Sequence, residues 1–500
     1  MTLLASLIAL LALPAPAFDA AGAIDFASLQ LAATASSLSP QLSPSTTAPD
    51  GIWITEANTN LVGWTQGFFP GANWYLYDLT GDPVAKLRAD RWTRALEAQK
   101  TNTSTHDLGF KLFLSFGHAY RSTGDPYYKD VLLTAAASLA SRYDPAVGAI
   151  ICCDWNPAWH RPVVVDTMVN LELLAWGAQN GGPQSWRDMA ISHALRNLAD
   201  LVRPDGSSYH VVDYAADGTV LWRGTLQGYS DASTWTRGQA WAIYGYTMLY
   251  RYTSDPRMLG AARKVTDFYL KRLGADPVPN WDFDAPSLHK DSSAAAAVAS
   301  ALFELSGFVA APDQQRYLQA ANGMLDALAS SQYLAKGKTS QAILLHGVGN
   351  LPEGRAVDVG LTYGDYYFLE AIARRPAMVV VPPVDGGVAD AGPADAGPAD
   401  AGDPGFADAG AVDGGVPTPA DGGVSDSGSG AAPDGGAANV PAAPPGSGSR
   451  PGGGCASGGG ARFPALALLA FALLWNRRRR ARLSRESLAR EFLRSQMLGG

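Results

Sequence analysis

Asp166-Thr-Met-Val-Asn-Leu-Glu-Leu-Leu-Ala-Trp176 is the stretch that decides the fold class. Met168, Leu171 and Leu174 recur at the spacing of one helix face, and an aspartate stands at the amino end, where helices begin. Working outward, Gln239–Tyr252 and Ser292–Leu305 repeat the pattern. So do windows at 111–120, 132–142, 190–202, 261–273, 316–331 and 366–373. The loops between them are rich in Gly, Pro and Asp, and three begin with a TGD or TSD signal at Thr80, Thr123 and Thr253. Strand-like pieces are confined to Ile150–Cys152 and Ser208–Asp213. The expectation is an all-α body of paired helices, with alanine-rich helices such as Ala294–Ala301 suited to a tightly packed inner ring. Periodicity does not distinguish a closed ring from an open helical repeat array.

That body ends where the composition changes. Residues 384–460 have almost no aliphatic bulk and run in a loose Asp/Ala/Gly/Pro pattern, which cannot offset the entropy of ordering by burial. The expected organisation is a helical domain over 45–378, a disordered linker over 379–452, an anchor segment over 453–482 and a basic tail over 483–500. The formal net charge of −8 divides into −10 on the linker, +8 from Arg450 onward and −6 on the rest. A body without basic excess excludes nucleic acid as an expected partner, and leaves room for a single anionic ligand held by local positive groups.

Three cysteines, two of them adjacent (Cys152, Cys153 and Cys455), make no disulfide framework and no zinc-ligand spacing. These cysteines give no reason to expect a zinc site. Leu3–Leu13 is apolar and is followed by the small-residue stretch Pro14–Ala17, as in a signal peptide over 1–17 cleaved after an A-x-A site. Beyond Cys455, the apolar stretch Phe463–Trp475 precedes Arg477–Arg480. It is short for a span of about 20 residues, but the arginines supply a positive-inside anchor. The order glycine-cysteine, apolar helix, arginine cluster resembles the C-terminal sorting tails of myxobacterial surface proteins. It implies an exported protein tethered to the cell surface through this segment alone, with Cys455 as the processing site.

Within the body, Asp107 and Asp166 each open a helix, so helix capping competes with a chemical role for both. Gln227–Trp241 packs Gln, Asp, Arg and two Trp into one turn and helix entry. Flat apolar faces beside charge-assisted donors are what a pocket for a sugar acid requires.

Seven segments in order resemble the unsaturated glucuronyl hydrolases, glycoside hydrolase family 88. They start at Trp64 (WTQGFFPG), His106 (HDLGF), Val165 (VDTMVNLELL), Ser208 (SYH), Ser233 (STWTRGQAWAIYG), Asp291 (DSSA) and Tyr363 (YGDYYFLEA). The resemblance covers about 52–375. It implies an (α/α)6 six-hairpin barrel that needs no cofactor and acts on the non-reducing-end 4,5-unsaturated uronate left by polysaccharide lyases. It implies Asp166 as acid and base and Asp107 as its partner carboxylate. His210 and Gln227 would bind the substrate and the water, and Trp64, Trp155, Trp235 and Trp241 would form apolar walls. Arg237 would hold anionic groups and His346 would line the next sugar subsite. Two alternatives stay open: the related hydrolases of unsaturated rhamnogalacturonan fragments, and a sugar-binding protein that has lost catalysis.

Overall fold

Three repeats of Thr-(Gly/Ser)-Asp-Pro turn the chain from one helix to the next, and each does so in the same way. The residue after the threonine has left-handed φ (70° at Gly81, 69° at Gly124, 53° at Ser254) and ends one helix. The aspartate that follows accepts the N–H of Val84, Tyr127 or Arg257 at 2.8–2.9 Å, and proline takes the first position of the next helix. These turns close helical hairpins.

The computed structural model describes residues 18–154 and 156–376. The outer helices are α1 (Ala20–Ser37), α3 (Pro83–Arg94), α5 (Pro126–Ala140), α8 (Gln184–Asp200), α10 (Pro256–Leu273) and α12 (Asp313–Leu328). The inner ring is built from α2 (Phe68–Thr80), a π-helical segment Gly109–Gly117 that runs into α4 (His118–Thr123), the pair α6 (Thr167–Asn170) and α7 (Glu172–Gln179), α9 (Thr236–Thr253), α11 (Ser292–Ser306) and α13 (Thr362–Arg374). Burial separates the two layers: fourteen of the fifteen residues of α11 are buried, against seven of eighteen in α10. Helix α13 packs against α2, so the ring closes and the open-array alternative falls away. The body is an α/α barrel of six hairpins.

Two close approaches lock the inner ring near the aspartates. A Cβ on Gly109 would meet the Asn170 backbone at 2.6 Å, and one on Gly245 would meet Met168 Cβ at 2.5 Å. The Phe110 N–H donates to Asn170 Oδ1 at 2.8 Å across the first of these contacts.

Three expectations are corrected. The start at 45 lies inside a strand and omits α1, whose Ala23, Ala27 and Leu31 pack into the core and complete the sixth hairpin. The helix expected at 111–120 is π-helical up to Gly117, an irregularity that apolar spacing does not encode. Strands are also not confined to the two expected pieces, which overlap the strands at Ala149–Ile150 and Val211–Tyr214. Antiparallel pairs form between β1 (Leu42–Thr47) and β2 (Trp53–Ala57), between β3 (Tyr143–Asp144) and β4 (Ala149–Ile150), and between β8 (Gly347–Asn350) and β9 (Arg355–Val359). A fourth, three-stranded sheet orders β5 (Arg161–Val164), β6 (Val211–Tyr214) and β7 (Val220–Gly224). Strands of two to six residues fall below the length at which alternation is readable.

Among the described residues Cys152 and Cys153 are free thiols, no His/Cys/Asp/Glu cluster could hold a metal ion, and no helix is long and apolar enough to cross a membrane. The expected signal peptide, linker, anchor segment with Cys455, and basic tail lie outside the described residues.

Candidate active site

The short sheet sets the site. Val164 pairs with Val211, and the Val165 N–H donates to the His210 carbonyl at 3.0 Å, which places Asp166 beside His210. The His210 N–H in turn donates to Gly224 O at 3.1 Å. Two backbone N–H groups, from Leu226 (3.2 Å) and Gln227 (3.4 Å), point at His210 Nδ1. A backbone N–H can only donate, so Nδ1 is the acceptor and the proton of the neutral ring sits on Nε2. Nε2 lies 3.5 Å from Asp166 Oδ2. Burial, with Arg237 and His106 adding to it, pushes His210 down to about 3, so the ring stays a neutral donor. It lies against Trp235, centroids 4.5 Å apart.

Asp166 does not cap its helix: its side chain makes no capping hydrogen bond, and Oδ2 is buried without a hydrogen-bond partner. Burial first, and then the charge of Asp107, raise its carboxyl to about 7. Arg237 opposes that rise, as does the indole N–H of Trp241, which makes no full hydrogen bond of its own. A carboxyl poised near neutrality can deliver a proton and take one back.

Asp107 is held by its neighbours. Thr105 Oγ1 donates to Oδ2 at 2.7 Å, and His106 Nε2 lies 3.3 Å from Oδ1. His106 Nδ1 meets Thr167 Oγ1 at 2.9 Å, so one imidazole links Asp107 to the residue after Asp166. Lys111, one helical turn beyond Asp107, is lowered to about 8 by burial, which the charges of Asp107 and Glu56 oppose. Its ammonium donates to the carbonyl of Leu61 (2.8 Å) and to Gln99 Oε1 (3.1 Å), fixing the segment that leads to Trp64.

The walls are aromatic. Half-buried Trp64 packs on Tyr363 (4.8 Å between centroids) and Phe110 (5.5 Å), and fully buried Trp241 packs on Phe110 and Tyr367 (5.4 Å each). Trp155 lies outside the described residues. His346, at φ 61°, holds Asp358 through Nδ1 at 2.6 Å, and its carbonyl accepts the Ser292 N–H at the entry of α11. It therefore sits at the same end of the barrel as the aspartates.

Arg237 departs from its expected role. Its guanidinium is 1% exposed and its terminal nitrogens are engaged within the fold: with Asp291 (2.6 Å), Gln227 Oε1 (2.8 Å), Gly349 O (2.7 Å) and the Val348 carbonyl. It stacks on Trp235 and Tyr363, at 4.6 and 5.2 Å. So Arg237 orients Gln227 by fixing its carboxamide oxygen. His106, Tyr363, Thr105 and Lys111 were not singled out from the sequence as site residues. Two of them, His106 and Tyr363, stand in segments quoted above, His106 next to Asp107, but their residue types alone carry no signal beyond structure.

Comparison with known proteins agrees with this geometry. No protein-family model matches the chain. It is 43% identical over 326 residues to an unsaturated glucuronyl hydrolase of Formosa agariphila, covering 63% of this chain and 81% of that protein. The chain belongs to the unsaturated glucuronyl hydrolases. Another member of the family, from Bacillus sp. strain GL1, is 33% identical over 64% of the chain and 88% of its own length. An unsaturated chondroitin disaccharide hydrolase of Streptococcus pyogenes serotype M1 is 32% identical over 66% and 85%. Among solved structures, an unsaturated glucuronyl hydrolase specific for heparin superposes with TM-score 0.68 at 40% identity, covering 71% of this chain and 96% of that one. The Bacillus glucuronyl hydrolase structure gives 0.67 at 31%, with the same coverage.

Proposed function

We propose that this chain releases the non-reducing-end 4,5-unsaturated uronic acid from lyase-generated oligosaccharides of glycosaminoglycan or exopolysaccharide type by hydrating the C4=C5 bond. Asp166 in its acid form protonates C4, and the positive charge that develops at C5 is shared with the ring oxygen. Water adds to C5 while the Asp166 carboxylate takes its proton, so the acid is regenerated. The C5 hemiketal opens to a ketone, leaving a hemiacetal at C1 that collapses to an aldehyde and expels the neighbouring sugar with the glycosidic oxygen. Asp107 keeps Asp166 protonated by its charge, the Nε2–H of His210 receives the carboxylate formed at Asp166, and Gln227 and the aromatic walls orient the uronate. The amino ends of α9, α11 and α13 face the same mouth, and their dipoles favour the substrate carboxylate.

One observation carries the reading: a buried carboxyl raised to about 7, with an oxygen that no group of the fold engages, standing beside a fixed neutral donor. The names of the relatives, which concern glucuronyl, chondroitin and heparin substrates, favour this substrate class over pectin fragments. The intact aspartate pair argues against a protein that only binds. A matched pair of disaccharides, one with the unsaturated uronate and one with saturated glucuronate, tests it. Only the first should be cleaved; efficient cleavage of the saturated sugar would overturn hydration.

Export and surface tethering belong to the same proposal. They are supported by the apolar run Leu3–Leu13 before small residues and by the order Cys455, apolar stretch, arginine cluster.

A further inference from the structure

The inner helices all run with their amino ends toward the aspartates, so their carboxyl-terminal halves converge on the opposite mouth of the barrel. A separate cavity of about 710 Å³ opens there, between α2, α4, α7, α9 and α13, and shares no residue with the site described above. That volume is within the usual range for a small-molecule site, about 300–1,000 Å³.

Its floor is polar and its charged groups are paired, while His118 meets the Tyr366 hydroxyl through Nε2 at 2.8 Å and keeps a buried Nδ1 without a hydrogen-bond partner. Glu370, 1% exposed, accepts the hydroxyls of Tyr75 (2.7 Å), Tyr244 (3.0 Å) and Ser300 (2.7 Å) and pairs with Arg374 at 3.2 Å. Glu172 pairs with Arg251 at 2.5 Å, and Arg251 and Arg374 share Glu304 at 2.6 and 3.0 Å. At the rim Arg121 pairs with Asp78. The wall is aromatic: half-buried Trp176 packs edge-on against Phe113 (5.9 Å) and Tyr120 (5.7 Å).

The charge pattern selects the ligand. Every guanidinium and carboxylate named here already has a partner of opposite sign, and the helix carboxyl ends add negative potential. An anion would face those ends and the three lining carboxylates Asp78, Glu172 and Glu370, and a cation would have to compete with Arg121, Arg251 and Arg374. A neutral ring bearing hydroxyls meets neither cost. Its hydroxyls can donate to carboxylates and accept from guanidinium N–H groups, since each guanidinium carries five, while its C–H face rests on Trp176. We propose that this second mouth binds a neutral saccharide, a site distinct from the one that takes the anionic unsaturated end.

Titration calorimetry on the full chain with cellobiose and with N,N′-diacetylchitobiose tests this, with free glucuronate as the anionic arm. At least one neutral disaccharide should bind, and Trp176→Leu should weaken it about tenfold or more without changing turnover of the unsaturated substrate. Trp64→Ala, in the catalytic mouth, should leave that binding unchanged. Arg121→Ala lies at the exposed rim, where loss of folding is not at issue, and should weaken it as well. The proposal is overturned if neither disaccharide binds, if binding survives both the Trp176 and Arg121 substitutions, if Trp64→Ala removes it, or if glucuronate binds the second mouth more tightly than the neutral sugars.

Discussion

His210 Nε2 stands 3.5 Å from Asp166 Oδ2 with its proton assigned by two backbone N–H groups on the other ring nitrogen. The donor is therefore built into the sheet that carries both residues. It meets an aspartate whose capacity to ionise is limited by burial and by Asp107.

Asp166→Asn removes the titrating proton at nearly constant size. Turnover should fall by at least about 100-fold, the lower end for loss of a general acid–base. The folded carboxyl titrates near 7 against a reference of 3.8, so the folded state holds a proton that the unfolded state releases between those values. Wild-type stability therefore declines as pH rises from about 4 to 7, by up to about 4 kcal/mol at about 1.4 kcal/mol per pH unit. The Asn variant should lack this decline and melt higher than wild type at pH 8, with the gap closing by pH 4. Thermal denaturation at the two pH values checks it.

Activity should fall above about pH 7 as Asp166 loses its proton. Since the Asp107 charge raises the Asp166 carboxyl, Asp107→Asn should move this descending limb to lower pH. Residual activity against pH, or the ¹³C carboxyl shift of Asp166, gives the measurement. A limb that does not move would remove Asp107 from the electrostatic account.

Arg237→Met leaves Asp291, fully buried, without its partner cation. The expected loss is about 3–5 kcal/mol, the range for breaking a buried ion pair, read by denaturant unfolding. Arg237→Lys keeps the charge but not the fork that holds Gln227. It should fold and lose about 10- to 100-fold in kcat/KM through misplacement of Gln227.

Deleting residues 1–37 removes α1 and exposes the α2 and α3 surfaces on which Ala23, Ala27 and Leu31 pack, so the product should not fold stably. Ending the chain after residue 382 should leave activity intact, because the Asp/Ala/Gly/Pro stretch beyond it has no aliphatic core to contribute. Circular dichroism and turnover of the two truncations distinguish the boundaries.

These predictions rest on features of unequal visibility in the chain itself. The long inner and outer helices were readable because apolar residues recur over ten or more positions. Ring closure was not, because the contact of α13 with α2 joins segments nearly three hundred residues apart. Helix α1 was hidden by its weak amphipathicity, being mostly alanine and serine, and by its place directly after an apolar run. Asp166 and Asp107 stood out as carboxylates at helix starts, yet whether they cap could be decided only by their partners. The place of Arg237 is undecided by the sequence for the same reason: a guanidinium beside tryptophans suits a ligand or a buried network equally well. His106 and Tyr363 act through neighbours distant in sequence, Thr167 and Trp64, and such pairings have no local signature.

The central claim is that Asp166 adds a proton to C4 and water adds to C5. Turnover of the unsaturated disaccharide in deuterated, ¹⁸O-enriched water, quenched within the first turnovers by borohydride so that the C1 and C5 carbonyls are reduced before they exchange with solvent, followed by NMR and mass spectrometry of the trapped uronate, tests this most directly. The account predicts deuterium at C4 and ¹⁸O at C5, with unlabelled glycosidic oxygen on the departing sugar. Product without deuterium at C4, or with ¹⁸O entering at C1, would contradict it.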